Sequence, residues 1–110
     1  MSEAAPEGRW LEICDTGDVF EGTGRRYQFE GLPPLAVFNV DGQFHVTDDT
    51  CSHGDASLAD GWLDGDQVEC PFHAGRFCVR TGEPTAYPAE LPIKVYPCRV
   101  EDGRVLIDRG

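Results

Sequence analysis

Basic residues are scarce in this sequence. Nine Lys and Arg stand against twenty Asp and Glu, which gives a formal net charge of −11. Binding to nucleic-acid phosphates or to an anionic membrane surface requires clustered basic residues, and the chain has no such cluster. The composition therefore argues against nucleic-acid and membrane partners. It favours either high solubility alone or attraction to a basic protein surface.

Long apolar segments are also lacking. No apolar run approaches the ~20 residues of a membrane-spanning helix. The first ten residues, MSEAAPEGRW, are acidic and contain no apolar core of a secretory signal. Five cysteines are an odd number, which argues against a disulfide framework. We therefore expect a cytoplasmic protein with reduced thiols.

A sustained helical period is the third feature that the sequence lacks. Thirteen Gly and eight Pro in 110 residues instead indicate many turns, which favours strands joined by loops. The length predicts a single domain over residues 1–110, with residues 1–8 as a flexible tail. The predicted fold class is all-β.

Two hairpins are predicted on either side of a central segment. Residues 35–40 and 43–47 flank Asp41-Gly42, and a similar pair of apolar runs flanks Asp102-Gly103. Asp and Gly tolerate the positive φ of a tight turn, so an Asp-Gly pair between two such runs predicts a hairpin.

Shorter strands are predicted along the rest of the chain. They cover residues 10–14, 26–29, 61–63, 67–69 and 77–79, whereas residues 93–100 and 104–107 are the two runs of the second hairpin. Asp64-Gly65 is expected to form a turn, and Pro97, which cannot donate a ladder hydrogen bond, is expected at an edge or bulge. These segments predict a β sandwich or barrel with a small all-β subdomain inserted at about residues 46–84.

Two cysteines and two histidines form a pair of matched motifs. Cys51 and His53 are two residues apart, and Cys70 and His73 are three apart. Chance placement would scatter such residues. A structural zinc site is the main alternative, although zinc fingers usually pair Cys with Cys and His with His. The mixed pairs suit a centre of two metals, to which each loop gives one thiolate and one imidazole.

This pattern resembles the Rieske signature, Cys-x-His followed by Cys-x-x-His, and Gly54, Pro71 and Gly75 match its context. The wider chain resembles the Rieske-type ferredoxins of bacterial aromatic-ring-hydroxylating dioxygenase systems, in segments such as residues 38–42, 77–82 and 92–95. The resemblance implies one [2Fe–2S] cluster. Its ligand positions are Cys51, His53, Cys70 and His73.

The same resemblance predicts a low reduction potential. High-potential members carry a disulfide at the positions of Ala56 and Phe72, and they carry hydroxyl donors at the positions of Gly75 and Phe77. Donors to the cluster sulfurs stabilise the reduced state, so their loss lowers the potential. The expected value is near the low end of the Rieske range, roughly −150 mV.

A carrier role is predicted in preference to catalysis. Once the cluster takes two histidines, only His45 remains, and one histidine cannot complete a two-histidine oxygenase iron site. No G-x-G-x-x-G motif for a nucleotide is present. The resemblance implies a monomeric one-electron carrier between a flavoprotein reductase and a terminal oxygenase. The alternatives are the small subunit of an assimilatory nitrite reductase and a structural zinc module.

Docking is expected through the cluster end of the molecule. By resemblance, His53 and His73 are exposed there, and a third loop near residues 87–89 covers the cluster. We expect Asp55, Asp60 and Glu90 to form an acidic rim.

The remaining chemistry-bearing side chains are given structural roles. His45 is expected to be a strand residue on a partly exposed face. Core or cluster-shielding positions are expected for Trp10, Trp62, Phe38 and Phe77, and burial as small apolar residues is expected for Cys14, Cys78 and Cys98.

Overall fold

The computed structural model describes residues 10–51, 56–72, 74–87, 89 and 91–108. The strands in these residues are β1 Trp10–Asp15, β2 Thr23–Tyr27, β3 Leu35–Val40, β4 Gln43–Asp48, β5 Trp62–Asp64, β6 Gln67–Glu69, β7 Arg76–Cys78, β8 Pro84–Ala86, β9 Val95–Tyr96, β10 Cys98–Glu101 and β11 Arg104–Asp108. Two short 3₁₀ helices accompany them, Thr16–Asp18 and Leu58–Asp60. The predicted all-β class is confirmed. Within the described ranges, neither helix has the length or the apolar character to cross a bilayer.

Three antiparallel sheets are present in the described part of the chain. Their strand orders are β1-β11-β10, β2-β3-β4-β9 and β5-β6-β7-β8. The first two sheets share one apolar core, to which β1, β3, β4, β9 and β11 contribute side chains. The third sheet packs on the outer face of β3 through a second core. The architecture is therefore a β sandwich that carries a small additional sheet.

Strand β3 is buried on both of its faces. Leu35 and Val37 lie in the sandwich core, whereas Ala36 and Phe38 lie in the core beneath the third sheet. Successive side chains of a strand point to opposite faces, so a strand between two cores is apolar on both faces and tolerates a polar residue only where it is hydrogen-bonded, as Asn39 is to the Val19 carbonyl. This explains the nearly unbroken apolar run of β3.

Both predicted Asp-Gly hairpin turns are confirmed. Asp41 and Gly42 join β3 to β4 with φ values of 53° and 89°. Asp102 and Gly103 join β10 to β11 with φ values of 52° and 77°. Two consecutive positive φ values match the twist of the flanking strands, which is why Asp-Gly is favoured at such turns.

The sequence prediction was wrong at three local points. Strand β2 begins at Thr23 and ends at Tyr27, before Phe29, and β8 was not predicted. The tight turn after β5 is Gly65-Asp66, because Asp64 pairs with Gln67 inside the ladder. Propensity is a weak guide to the existence and the ends of strands this short, because packing against neighbouring strands decides them.

Pro97, which was expected at an edge or a bulge, lies where the chain changes sheets. It separates β9, which belongs to the sheet of β4, from β10 in the opposite sheet. Its carbonyl accepts a hydrogen bond from the Asp108 N–H at 2.9 Å. The tail at residues 1–8 lies outside the described residues. The single domain and the subdomain limits of about 46–84 stay predictions, and the third sheet itself runs from residue 62 to 86.

Candidate metal centre

Cys51 and Cys70 are the two predicted ligands that the structure describes. Cys51 follows the end of β4 closely, and Cys70 directly follows β6. Their exposed fractions are 3% and 1%, and both belong to the core beneath the third sheet. The predicted ligands His53 and His73 lie outside the described residues. The structure thus brings both cysteines into one buried region, while the full ligand set stays a prediction.

The two cysteines begin loops that close in the same way. In the first cysteine loop, residues 51–56, the Cys51 N–H donates to the carbonyl of Ala56 at 3.0 Å. In the second cysteine loop, residues 70–75, the Cys70 N–H donates to the carbonyl of Gly75 at 2.7 Å. Each bond spans the same number of residues, so the matched sequence motifs correspond to matched backbone closures.

The first cysteine loop has a narrow base. A single bridge pairs Thr50 with Ser57, outside any strand. The Leu58 N–H then donates to the carbonyl of Asp49 at 2.7 Å. Asp49 is a polar side chain with an exposed fraction of 2%, and the sequence analysis did not single it out. Asp49 could have been noticed in the sequence as a carboxylate just after a predicted strand and two residues before a predicted ligand cysteine.

The second cysteine loop has a broader base. Strands β6 and β7 continue the loop as a ladder of three residue pairs, and Glu69 pairs with Arg76 next to the loop. The Arg76 guanidinium contacts the Glu69 carboxylate at 3.1 Å and that of Asp64 at 3.6 Å. Backbone hydrogen bonds and a partly exposed ion pair therefore support this loop together.

A third segment covers the second cysteine loop. A Cβ atom built on Gly75 would lie 2.9 Å from both the Cβ and the N atom of Ala89. Ala89 is buried, whereas Tyr87 is exposed. The predicted third loop is thus found against the second cysteine loop at Ala89, and Pro88 lies outside the described residues. Glycine at position 75 is required by this close approach.

The environment of the two thiols fits a buried redox centre. Apolar side chains surround them, and the fully buried ones include Leu58, Val68 and Phe77. Such a shell limits solvent access, which tunes the potential of a metal centre. Within the described ranges, no group of three or more His, Cys, Asp or Glu forms a metal site. The described residues thus supply two buried thiols on matched loops, which are half of the predicted donor set.

The other three cysteines differ in burial. Cys14 is buried and Cys98 is half-buried, both against the sandwich core, and neither forms a disulfide. Burial raises the pKa of Cys14 and raises that of Cys98 to about 11. The prediction of a buried thiol is confirmed for Cys14, whereas Cys78, like Cys98, is only half-buried. Its burial raises the pKa, but hydrogen bonds from the Thr81 hydroxyl and the backbone N–H groups of Arg80 and Thr81 outweigh this and lower it.

His45 is a strand residue, as predicted. It lies on β4 directly opposite Phe38 and is half-buried. Its Nε2 atom is buried and has no hydrogen-bond partner among the described residues. Burial lowers the pKa of His45, the nearby Arg80 lowers it further, and Asp66 partly opposes them. The neutral imidazole is therefore favoured in the folded protein.

The aromatic predictions are confirmed for two residues and wrong for one. Phe38 and Phe77 are almost fully buried in the core that contains both predicted ligand cysteines. Trp62 is 65% exposed on β5, so it is not a core residue. Leu63, its neighbour on β5, packs against the core, so the alternation of side chains along the strand turns Trp62 to the solvent-facing side. Trp10 is half-buried beneath the Arg99 guanidinium, 4.1 Å from the ring centre.

The chain belongs to the Rieske [2Fe–2S] domain family, whose model matches residues 9–97. Ferredoxin CarAc of Metapseudomonas resinovorans is 48% identical over 98 residues, 89% of this chain and 92% of that protein. The ferredoxin component of the p-cumate 2,3-dioxygenase system of Pseudomonas putida is 48% identical over 99 residues, 89% of this chain and 84% of that protein.

A solved structure shows the same fold. In a complex of reduced oxygenase and oxidized ferredoxin of carbazole 1,9a-dioxygenase, one chain superposes with a TM-score of 0.86 and 46% identity, covering 92% of this chain and 94% of that one. A nitrite reductase small subunit shares the fold alone, with a TM-score of 0.75 at 20% identity, over 89% of this chain and 96% of that one.

These comparisons establish the class of protein. The chain is a Rieske-type ferredoxin, an electron carrier and not a catalyst, and its cofactor is one [2Fe–2S] cluster. The zinc alternative is thereby set aside. The nitrite reductase alternative has less support, because its likeness is confined to the fold.

Proposed function

We propose that this chain carries single electrons from an NAD(P)H-dependent flavoprotein reductase to the terminal Rieske non-haem iron oxygenase of an aromatic-ring-hydroxylating dioxygenase system. One observation supports this most directly. Two matched loops bury Cys51 and Cys70 in a chain that is 48% identical to a dioxygenase ferredoxin component over 89% of its length. We further propose that it acts as a monomer in the cytoplasm.

The proposed ligands are two thiolates and two imidazoles. Cys51 and Cys70 would bind one iron, and His53 and His73 would bind the other. When bound, the cluster supplies a one-electron couple. The chain buries both thiols in apolar surroundings, and the closing hydrogen bonds at Ala56 and Gly75 hold the two backbones in place.

The proposed potential is low, roughly −150 mV, at the lower end of the Rieske range. Phe77 is fully buried and Gly75 is in contact with the third loop, and neither provides a hydroxyl group. The positions that carry a disulfide in high-potential relatives are Ala56, which is buried, and Phe72, which is 71% exposed. A redox titration with a midpoint well above zero would contradict this part of the proposal.

Electrostatic docking is part of the same proposal. Each Lys and Arg of the described residues already contacts a partner within the chain, through an ion pair or an aromatic ring. The excess negative charge is therefore available to a basic partner surface. Asp60 is exposed beside the first cysteine loop, while Asp55 and Glu90 of the proposed rim lie outside the described residues.

Reconstitution with a reductase and an oxygenase tests the function. We expect aromatic hydroxylation that depends on this chain and slows as salt is added, because salt screens charges beyond about 10 Å at 0.1 M. Asp60→Asn should slow transfer more than Asp41→Asn, which changes the same charge at the far end of the β3–β4 hairpin. Electron delivery to nitrite reductase but to no oxygenase would contradict the proposal. Turnover unchanged by salt would contradict electrostatic docking.

A further inference from the structure

Asp49 is a buried carboxylate that neither the ligand pattern nor the family comparison assigns. It lies two residues before Cys51, and only 2% of it is exposed. A buried charge is costly unless it is paired and hydrogen-bonded. The contacts of Asp49 therefore show what this side chain holds in place.

The carboxylate of Asp49 accepts hydrogen bonds from the far side of the first cysteine loop. Its Oδ1 atom receives the Ser57 hydroxyl at 2.9 Å and the Ala59 N–H at 2.9 Å. Its Oδ2 atom faces the Nε of Arg26 on β2 at 3.7 Å. The side chain thus ties the segment that follows the loop to the edge of the sandwich.

The backbone of Asp49 adds two further connections. Its N–H donates to the Pro34 carbonyl at 2.9 Å, and its carbonyl accepts from the Leu58 N–H at 2.7 Å. Every polar group of this residue is therefore engaged. The contacts join the segment before β3, the strand β2 and the 3₁₀ helix Leu58–Asp60 at the base of the first cysteine loop.

In the described part of the chain, the second cysteine loop is supported by backbone pairing and not by a buried carboxylate. The β6–β7 ladder supplies three residue pairs directly below it, whereas the first loop has the single bridge between Thr50 and Ser57. Glu69 lies beside the second loop, but its side chain is 27% exposed and its partner Arg76 is 37% exposed. The buried side chain of Asp49 therefore supports the first loop, whereas the β6–β7 ladder supports the second.

We propose that Asp49 is a positioning residue for the cluster, with two effects. It holds the base of the first cysteine loop so that Cys51 keeps its place, and its buried negative charge lowers the reduction potential. A nearby negative charge disfavours the added electron, and this effect is strong in a poorly solvated interior. The inference rests on the proposed ligand set.

The main test is Asp49→Asn, which preserves the shape and an oxygen acceptor but removes the charge. We expect the reduction potential to rise and the cluster to be released to a chelator about tenfold faster or more, as for other residues that orient metal ligands. Asp48→Asn is the matched control. It removes the same charge one residue away, at a side chain that accepts from the hydroxyl of Tyr96, a sandwich-core residue, at 2.6 Å.

A second variant keeps the test valid if Asp49→Asn assembles poorly. Arg26→Gln leaves the carboxylate in place and removes its cationic partner, so the potential should shift down, opposite to Asp49→Asn. A purely structural role would not produce opposite shifts. Val105→Ala, in the sandwich core away from the loops, provides a destabilised chain for comparing cluster release with global unfolding.

The outcomes separate this inference from the proposed function. Equal potentials for Asp49→Asn and Asp48→Asn would overturn the inference, and so would shifts of the same sign for Asp49→Asn and Arg26→Gln. Cluster release that follows unfolding as it does in Val105→Ala would also overturn it. The ligand set is tested independently by the EPR signal of the reduced wild-type chain, which should show imidazole nitrogens bound to iron. An EPR signal without imidazole nitrogens bound to iron would contradict the ligand set, whatever the effect of the Asp49 variants.

Discussion

The two cysteine loops close with the same kind of backbone hydrogen bond, but different structures support them next to that closure. In both, the N–H of the cysteine donates to the carbonyl five residues later, at Ala56 in one and Gly75 in the other. Below the second loop lies a regular ladder of β6 and β7. Below the first lies one bridge and the buried carboxylate of Asp49.

This difference teaches that the same local geometry can be supported by the backbone or by a side chain. A ladder tolerates substitution because its hydrogen bonds do not depend on side-chain identity. A loop that depends on a buried carboxylate does not tolerate its substitution, because removal of the carboxylate leaves hydrogen-bond donors unsatisfied. The second loop has a different sensitivity, since Gly75 is packed against Ala89.

The largest expected effect tests what the loops share. Cys51→Ser and Cys70→Ser should each abolish cluster assembly, because both cysteines are predicted ligands in one buried region. The readouts are the visible absorption and the EPR signal of the reduced protein. Cys98→Ser, in the sandwich core, should retain both signals. Wild-type cluster content in either ligand variant would show that the two loops do not act together.

A smaller effect should separate the loops at their closing residues. Gly75→Ala places a methyl group 2.9 Å from the Cβ and N atoms of Ala89, and overpacking of this kind costs about 1–3 kcal/mol. Ala56→Gly removes a buried methyl group without a clash and should cost about 0.5–1 kcal/mol through backbone freedom. Denaturant unfolding of both variants measures the difference. An Ala56→Gly cost equal to or above that of Gly75→Ala would refute the crowding argument.

The next effect concerns the potential and not the fold. Phe77→Tyr adds a hydroxyl group just beyond the second cysteine loop, where high-potential relatives have a donor, and should raise the reduction potential. Phe38→Tyr adds the same hydroxyl group to the same core from β3 and should leave the potential near that of the wild type. Redox titration compares them. Equal shifts would mean that the effect is general polarity and not a donor placed by the second loop.

The smallest expected effect comes from His45, which lies outside both loops. It tests whether protonation of this strand residue contributes to the pH dependence of stability. Burial lowers the pKa of His45 below its usual 6.5, so the unfolded chain binds the proton more readily. Its contribution to stability is therefore present above about pH 6.5 and is lost as the pH falls through the lower folded value. His45→Gln should reduce the slope of unfolding free energy between about pH 7 and about pH 5. An unchanged slope would show that other groups dominate.

Local sequence signals predicted the two main hairpins well. The Asp-Gly turns at Asp41 and Asp102 were found because the constraint, a positive φ, acts within the turn itself. The cysteine motifs were noticed because ligands that share a loop must be close in sequence, and the structure places Cys51 and Cys70 in one buried core. Trp62 was misplaced because its burial depends on whether another layer covers β5, which no local pattern records.

The sequence by itself determined the all-β class and the positions of the two main hairpins, and it supplied the prediction of the donor residues, since each follows from residues near one another in the chain. Only the tertiary structure decided which side chains support the site. The close approach of Ala89 to Gly75 and the contacts of Asp49 with Arg26 and Ala59 join segments separated along the chain. Such contacts arise when the two cores pack on opposite faces of β3, and they have no period or motif by which to predict them.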